Sequence, residues 1–237
     1  MSIQDTRFVV LDTETTGLDP AVDKVVDISL VEVSRHGIQP LYSTLINPER
    51  DIPPTASAVH HITQRDVLGK PTFDEVWPII MGHLDGAVIV AHNAQFDRSM
   101  IPETGRPWIC SYRLARHLWS DAPGHGNQVL RYWLDLQVDA QAAHSAAGDT
   151  LVTANVFWRE LAHYRKHVAK TREVSDLIEY AASPISVTVM PFGKHKGLRM
   201  DEVPLSYFEW ALRNMTELDS DLRITMEQQA ARRSSAG

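Results

Sequence analysis

Residues Phe8 to Leu18 read FVVLDTETTGL, an apolar run that ends in two acids. Four successive apolar residues, Phe8 to Leu11, fit a buried strand, and a strand sends alternate side chains to the same face. Asp12 and Glu14 therefore project together. Two carboxylates on so small a patch repel, and one must keep its proton unless a cation lies beside them. Hard divalent ions such as Mg²⁺ and Mn²⁺ relieve that conflict, because they prefer oxygen ligands and often take only one or two carboxylates each.

Outward from this strand the pattern is that of a mixed α/β sheet. Arg7–Thr13, Val25–Ser34 and Ile38–Ile46 read as three successive strands, the last two joined around His36–Gly37. Phe73–Leu84 has helical apolar spacing at Phe73, Val76, Trp77, Ile80 and Leu84. Ala87–Ala91 suits a central strand, followed by a helix opening near Asn93. Trp108–Cys110 suits a short strand feeding a helix Ser111–Leu118, with further helices over Gln128–Leu136 and Ser145–Tyr164. Three meandering strands followed by alternating helices and strands predict a mixed α/β sheet flanked by helices, a pattern that resembles the ribonuclease H-like fold.

The first domain is expected over residues 1–165. Residues 166–184 are expected to form a helical connector with a boundary near Pro184, and residues 185–237 a small C-terminal α/β module. About fifty residues make a marginal core of their own. Within that module GKHKG lacks the GxxxxGK[ST] spacing of a Walker loop. Its Lys194 and Lys196, with Arg199 nearby, read either as a basic turn or as contacts to a nucleic-acid backbone. Tyr207, Phe208 and Trp210 on a helix Pro204–Asn214 read either as the module's core or as a docking surface.

Composition narrows the setting. The 237 residues are 43% hydrophobic, which suits a globular chain rather than a disordered one. The one cysteine, Cys110, has no internal partner for a disulfide, and no zinc-type Cys/His cluster is present. The start, MSIQDTRFVVL, has neither a basic n-region nor a long apolar segment, so no export signal or membrane span is expected and the cytoplasm is the default. A formal charge of −7 argues against electrostatic coating of nucleic acid, although local contacts to it remain open.

Two further segments carry acids. Asp97 lies in AHNAQFD after the second buried strand, and HSAAGDT places His144 five residues before Asp149. On one regular helix that offset would turn the pair roughly 140° apart, so Asp149 belongs to the first turn of the long helix and His144 to the loop before it. A loop histidine beside a metal site can take a proton from water at working pH. Four carboxylates suffice for two ions, and two ions roughly 3.5–4 Å apart stabilise both the attacking and the leaving oxygen in phosphodiester cleavage.

DxE, HNAxFD and Hx₄D in this order resemble the motifs of the DEDDh 3′→5′ exonucleases. Ser145 occupies the place where the family's tyrosine variant carries its Tyr. AVHHIT, AHNAQFDRSMIPE, WICSYRLARHLW, FGKHKG and YFEWALRNM extend the likeness over most of the chain, nearest to the exodeoxyribonuclease X type. The resemblance implies that Asp12, Glu14, Asp97 and Asp149 hold two Mg²⁺ or Mn²⁺ ions and that His144 is the general base. It implies DNA 3′ ends, single- or double-stranded, as substrate, nucleoside 5′-monophosphates as products and a place in DNA repair; no protein partner is named. Thr15, Gly17 and Leu18 match the segment that lies against the 3′-terminal nucleotide in such enzymes, although Gly17–Leu18 also suits a strand-ending turn with a core leucine. His60 and Asn93 match positions able to contact the sugar-phosphate or to organise their own loops. His61 stands where glycine is common. Proofreading beside a polymerase, RNA 3′-end trimming and a degenerate binding domain are the alternatives.

Overall fold

Strand β1 (Phe8–Thr15) lies at the centre of a five-stranded sheet. β2 (Val25–Ser34) pairs with it antiparallel, and β3 (Gly37–Leu45) pairs antiparallel with β2. On the other side β4 (Val88–Ala91) is parallel to β1, and β5 (Trp108–Cys110) is parallel to β4, giving the order β3-β2-β1-β4-β5. This is the ribonuclease H-like arrangement expected from the sequence. The computed structural model describes residues 1–138 and 145–234, in two units, Met1–Ala182 and Ser183–Gly237.

Alternation along β1 divides the core of the first unit. Val9 and Leu11 point to the face covered by helix α3 (Phe73–Leu84), where Val76, Ile80 and Leu84 meet them. That helix begins at a capping box in which the Thr72 N–H donates to Glu75 Oε2 at 2.8 Å. Phe8 and Val10 point to the opposite face, under α5 (Ser111–Leu118), the 22-residue α7 (Ala146–His167) and α8 (Val174–Ala182). There Phe8 meets Phe157 edge-on, with ring centroids 5.1 Å apart. The short helices α1 (Pro54–His60) and α2 (Gln64–Val67) lie between β3 and α3, α4 (Ala94–Met100) follows β4, and α6 (Asn127–Trp133) precedes α7. Among the described residues no helix is long and apolar enough to cross a membrane.

Over residues 166–184, expected as a helical connector, the structure has the end of α7 and the helix α8. α7 continues to His167, and α8 buries Leu177 and Ala181 in the same core as Phe8 and Phe157, so the first unit closes at Ala182. Charged residues between the two helices conceal this in the sequence, because the apolar face of α8 is only nine residues long.

In the Ser183–Gly237 unit, α9 (Leu205–Asn214) and α10 (Ser220–Ser234) pack around Met190, Met200, Val203, Phe208, Leu222 and Met226. Of the β part expected of this α/β module, the described residues show one bridge, Val189 with Arg199. The N–H groups of Ile185 and Val187 donate instead to Asp221 Oδ1 and Thr225 Oγ1 of α10, each at 3.0 Å, so no neighbouring strand is needed to satisfy them.

Candidate active site

Asp12 and Glu14 share the face of Phe8 and Val10, which is the face that α7 covers. α7 begins there with Asp149 in its first turn. Ser145 caps it, its hydroxyl accepting from the Gly148 N–H at 3.1 Å. One oxygen from each of Asp12, Glu14 and Asp149 lies within 4.8 Å of the others. Asp97 arrives from α4 by another route. β4 pairs with β1 only at Phe8, Val9 and Val10, so the rest of β1 overhangs it. On that overhang the Thr13 N–H and Thr13 Oγ1 donate to Asp97 Oδ1 at 3.0 and 2.9 Å. Asp97 thus stands outside the 4.8 Å group, yet its charge acts on Asp12.

The electrostatics of the cluster fit a cation site. Burial first, then the charges of Asp97, Glu14, Asp149 and Asp27, raise Asp12 well above the usual carboxylate range. Glu14 is raised to about 8 by burial and by Asp149, Asp27 and Asp97. Burial raises Asp97 to about 7, against the two hydrogen bonds from Thr13. An oxygen-only group in which Asp12, Glu14 and Asp97 resist ionisation unless a positive charge compensates fits a divalent metal site.

His144 lies outside the described residues. Thr15 turns inward, its hydroxyl donating to the Gly17 carbonyl at 2.6 Å. A Cβ on Gly17 would meet the Asp23 carboxylate at 2.3 Å, so glycine is required for that close approach. Leu18 is 82% exposed, which excludes the core-leucine alternative. His60 is buried and its Nδ1 accepts from the Ile62 N–H at 3.0 Å, so the ring organises its own turn. His61 ends α1 at φ +62°, a left-handed cap that glycine adopts with least strain. Asn93 also has positive φ, +68°, before α4, and its side chain makes no cap bond.

Sequence reasoning missed three supporting residues. Asp27, directly across from Glu14 in the β1–β2 register, accepts from the Ala146 N–H at 3.1 Å and so ties the start of α7 to the sheet. Burial raises its pKa to about 6, opposed by N–H donation from Ala146 and Ile28. The signal was an acid inside an otherwise apolar strand, VVDISLVEV. Gln128 on α6 donates to Asp149 Oδ1 at 3.3 Å. Thr13 aims Asp97, as above. A cavity of 430 Å³ lies at the other end of β1, lined by Ile3, Phe8, Val33, Trp158 and Leu161. It lies away from the carboxylate cluster, and the chemistry follows the carboxylates.

Comparison with known proteins agrees with this geometry. The family model described as exonuclease, of the RNase T type, matches residues 9–157. Exodeoxyribonuclease 10 of Escherichia coli (strain K12) is 32% identical over 226 residues, 92% of this chain and 96% of that protein. The PolC-type DNA polymerase III of Thermotoga petrophila is 34% identical over 217 residues, 84% of this chain, and the chain spans only 15% of its length. A solved structure of exonuclease X in complex with 5′ overhanging duplex DNA matches with a TM-score of 0.59 at 33% identity, covering 72% of this chain and 99% of that one. A 3′-exonuclease whose structure concerns histone mRNA stem-loop recognition shares the fold, with a TM-score of 0.58 at 15% identity over 67% of this chain and 82% of that one. With the family model covering more than half of the chain and the E. coli relative matched over almost its whole length, the chain belongs to the DEDDh 3′→5′ exonuclease family.

Proposed function

We propose that the protein hydrolyses phosphodiester bonds at the 3′ ends of DNA and releases nucleoside 5′-monophosphates, with the Met1–Ala182 unit carrying the chemistry. The observation that carries this is the meeting of Asp12, Glu14 and Asp149 within 4.8 Å, with Asp97 braced beside them by Thr13. Asp12, Glu14, Asp97 and Asp149 would hold two Mg²⁺ or Mn²⁺ ions. Bound there, the ions supply charge neutralisation for the attacking and leaving oxygens. His144 takes the proton of the attacking water as the water oxygen bonds to phosphorus, and the bond from phosphorus to the 3′ oxygen breaks, that oxygen taking a proton from solvent to leave as the new 3′ hydroxyl. Asp27 and Ser145 set where α7 begins and hence where Asp149 points. Exposed Leu18, on the turn that Asp23 and Gly17 brace, lies against the terminal nucleotide. Thr15 and His60 support that wall rather than touch substrate, and exposed Asn93 is left as a sugar-phosphate contact.

DNA as substrate is supported by exodeoxyribonuclease 10 and by exonuclease X with its DNA duplex. A role in DNA repair, in the cytoplasm, accords with that substrate. The PolC-type match supports a second reading, proofreading beside a polymerase, which uses the same residues. Matched DNA and RNA oligomers labelled at either end, incubated with Mg²⁺ or with EDTA, test the assignment. The expected result is shortening of DNA from the 3′ end, dependent on the cation and lost in Asp12→Ala and Asp149→Ala. Full turnover in EDTA, or a wild-type rate for Asp12→Ala, would refute it. Preference for RNA would move the substrate to RNA trimming.

A further inference from the structure

We propose a second nucleic-acid contact within the Ser183–Gly237 unit: the Tyr207–Trp210 face of α9 stacks an unpaired base of single-stranded DNA, and Lys194 and Lys196 hold the adjoining phosphates. It rests on the nuclease assignment only for the identity of the strand as DNA.

The face is built rather than incidental. Gly193 opens the turn Gly193–His195 at φ +70°, which favours glycine, and a Cβ there would meet the Tyr207 hydroxyl oxygen at 2.5 Å and push that hydroxyl aside. His195 meets Tyr207 edge-on with centroids 4.7 Å apart, and Lys194 Nζ stands 5.6 Å from the Tyr207 ring centre. Tyr207 is therefore held from the side of the turn. Trp210 lies one helical turn further on, its ring 5.6 Å from Tyr207 and inclined by 33°.

Burial separates the three aromatics that the sequence groups together. Phe208 is fully buried and supplies the core with Met190, Met200, Val203, Leu222 and Met226. Trp210 is 51% exposed and outside that core. Trp210, the unit's largest apolar side chain, is thus half exposed beside the Tyr207 ring rather than packed in the core. The cleft beside it, 310 Å³, is lined by Lys194, Ser206, Tyr207 and Trp210.

Charge selects the occupant. Lys194 and Lys196 are exposed and, among the described residues, neither has a carboxylate partner. Arg199, grouped with them in the sequence, is instead engaged by Asp201 through bonds of 3.0 and 3.1 Å. Half-exposed Trp210, flanked by the half-buried Tyr207 ring and by lysines without a carboxylate partner, matches the way single strands are bound, through base stacking and backbone charge. In a duplex the base faces are already covered by their neighbours, so the site favours an unpaired strand.

The full chain in EDTA, which prevents cation-dependent cleavage, is titrated with a labelled single-stranded oligonucleotide over a range of salt, and with a blunt duplex of the same sequence. Trp210→Ala is expected to weaken single-strand binding about tenfold with an unchanged salt slope. Trp210→Phe is expected to recover most of that loss. Lys194→Ala with Lys196→Ala is expected to lower the slope of log affinity against log salt by about 1.4, from 0.7 per phosphate contact on a single strand. Single-strand affinity within twofold of wild type for Trp210→Ala overturns the stacking site, as does an equal loss on the duplex. An unchanged slope for the lysine pair overturns the phosphate contacts. Circular dichroism establishes that each variant is folded. Mg²⁺-dependent nucleotide release by the wild-type chain tests the nuclease assignment separately; an inactive chain that still binds through Trp210 refutes that assignment and leaves this site standing.

Discussion

Raising the pH of the ion-free protein should remove stability, and a divalent cation should restore it. Glu14 has an ordinary pKa of 4.5 and a folded-state value of about 8, because burial and three acidic neighbours oppose its charge. Between those values the folded chain keeps a proton that the unfolded chain has lost. Its stabilising contribution is therefore complete below about pH 4 and disappears as pH rises through the folded-state value. The slope is about 1.4 kcal/mol per pH unit for each retained proton. From about pH 5.5 to about pH 7.5, Glu14 alone accounts for about 2 kcal/mol once solvent screening of its exposed part is discounted. At about 2–4 °C per kcal/mol for a chain of this size, the melting temperature should fall by roughly 4–8 °C. Asp97, raised to about 7, and Asp12 act in the same direction. Cations compete with these protons, so the rise in melting temperature on adding Mg²⁺ should grow with pH. The assay is a thermal melt at several pH values in EDTA and in Mg²⁺, on wild type and Glu14→Gln, the variant having the flatter EDTA profile. A wild-type EDTA profile that is flat over this range would refute the reasoning, as would a Mg²⁺ effect no larger at high pH than at low pH.

Three more outcomes are expected. Asp27→Ala should be about 1–3 kcal/mol less stable than Asp27→Asn in urea titrations, because only asparagine keeps an acceptor for the Ala146 N–H; equal stabilities would remove Asp27 as the tie to α7. Glu160 is fully buried, with Oε1 accepting from Ser111 at 3.1 Å and Oε2 lacking a partner among the described residues, and burial holds its pKa well above 4.5. Glu160→Gln should therefore gain stability on wild type as pH rises, and parallel pH profiles would contradict this. His144→Ala should lose roughly 10²–10⁴-fold in cleavage rate while keeping the Mg²⁺-induced rise in melting temperature, and a wild-type rate would move the base elsewhere.

Local pattern made most of the fold and the acidic residues legible in advance. The run Phe8–Leu11 and the β alternation placed Asp12 and Glu14 together, Phe73–Leu84 and Ser111–Leu118 form helices with the bounds expected, and Asp149 falls in the first turn of its helix. Each depends on neighbours within a few positions, where periodicity and capping chemistry are written directly in the residues. Tertiary structure alone decided what lies across from what. Asp27 faces Glu14 only because of the antiparallel register, Thr13 aims Asp97 only because β4 stops short of it, and Trp210 is exposed while Phe208 is buried only because α9 turns one face to its core. Those relations join residues distant in the chain or set apart by a rotation of the helix, and packing, which no local pattern encodes, determines both.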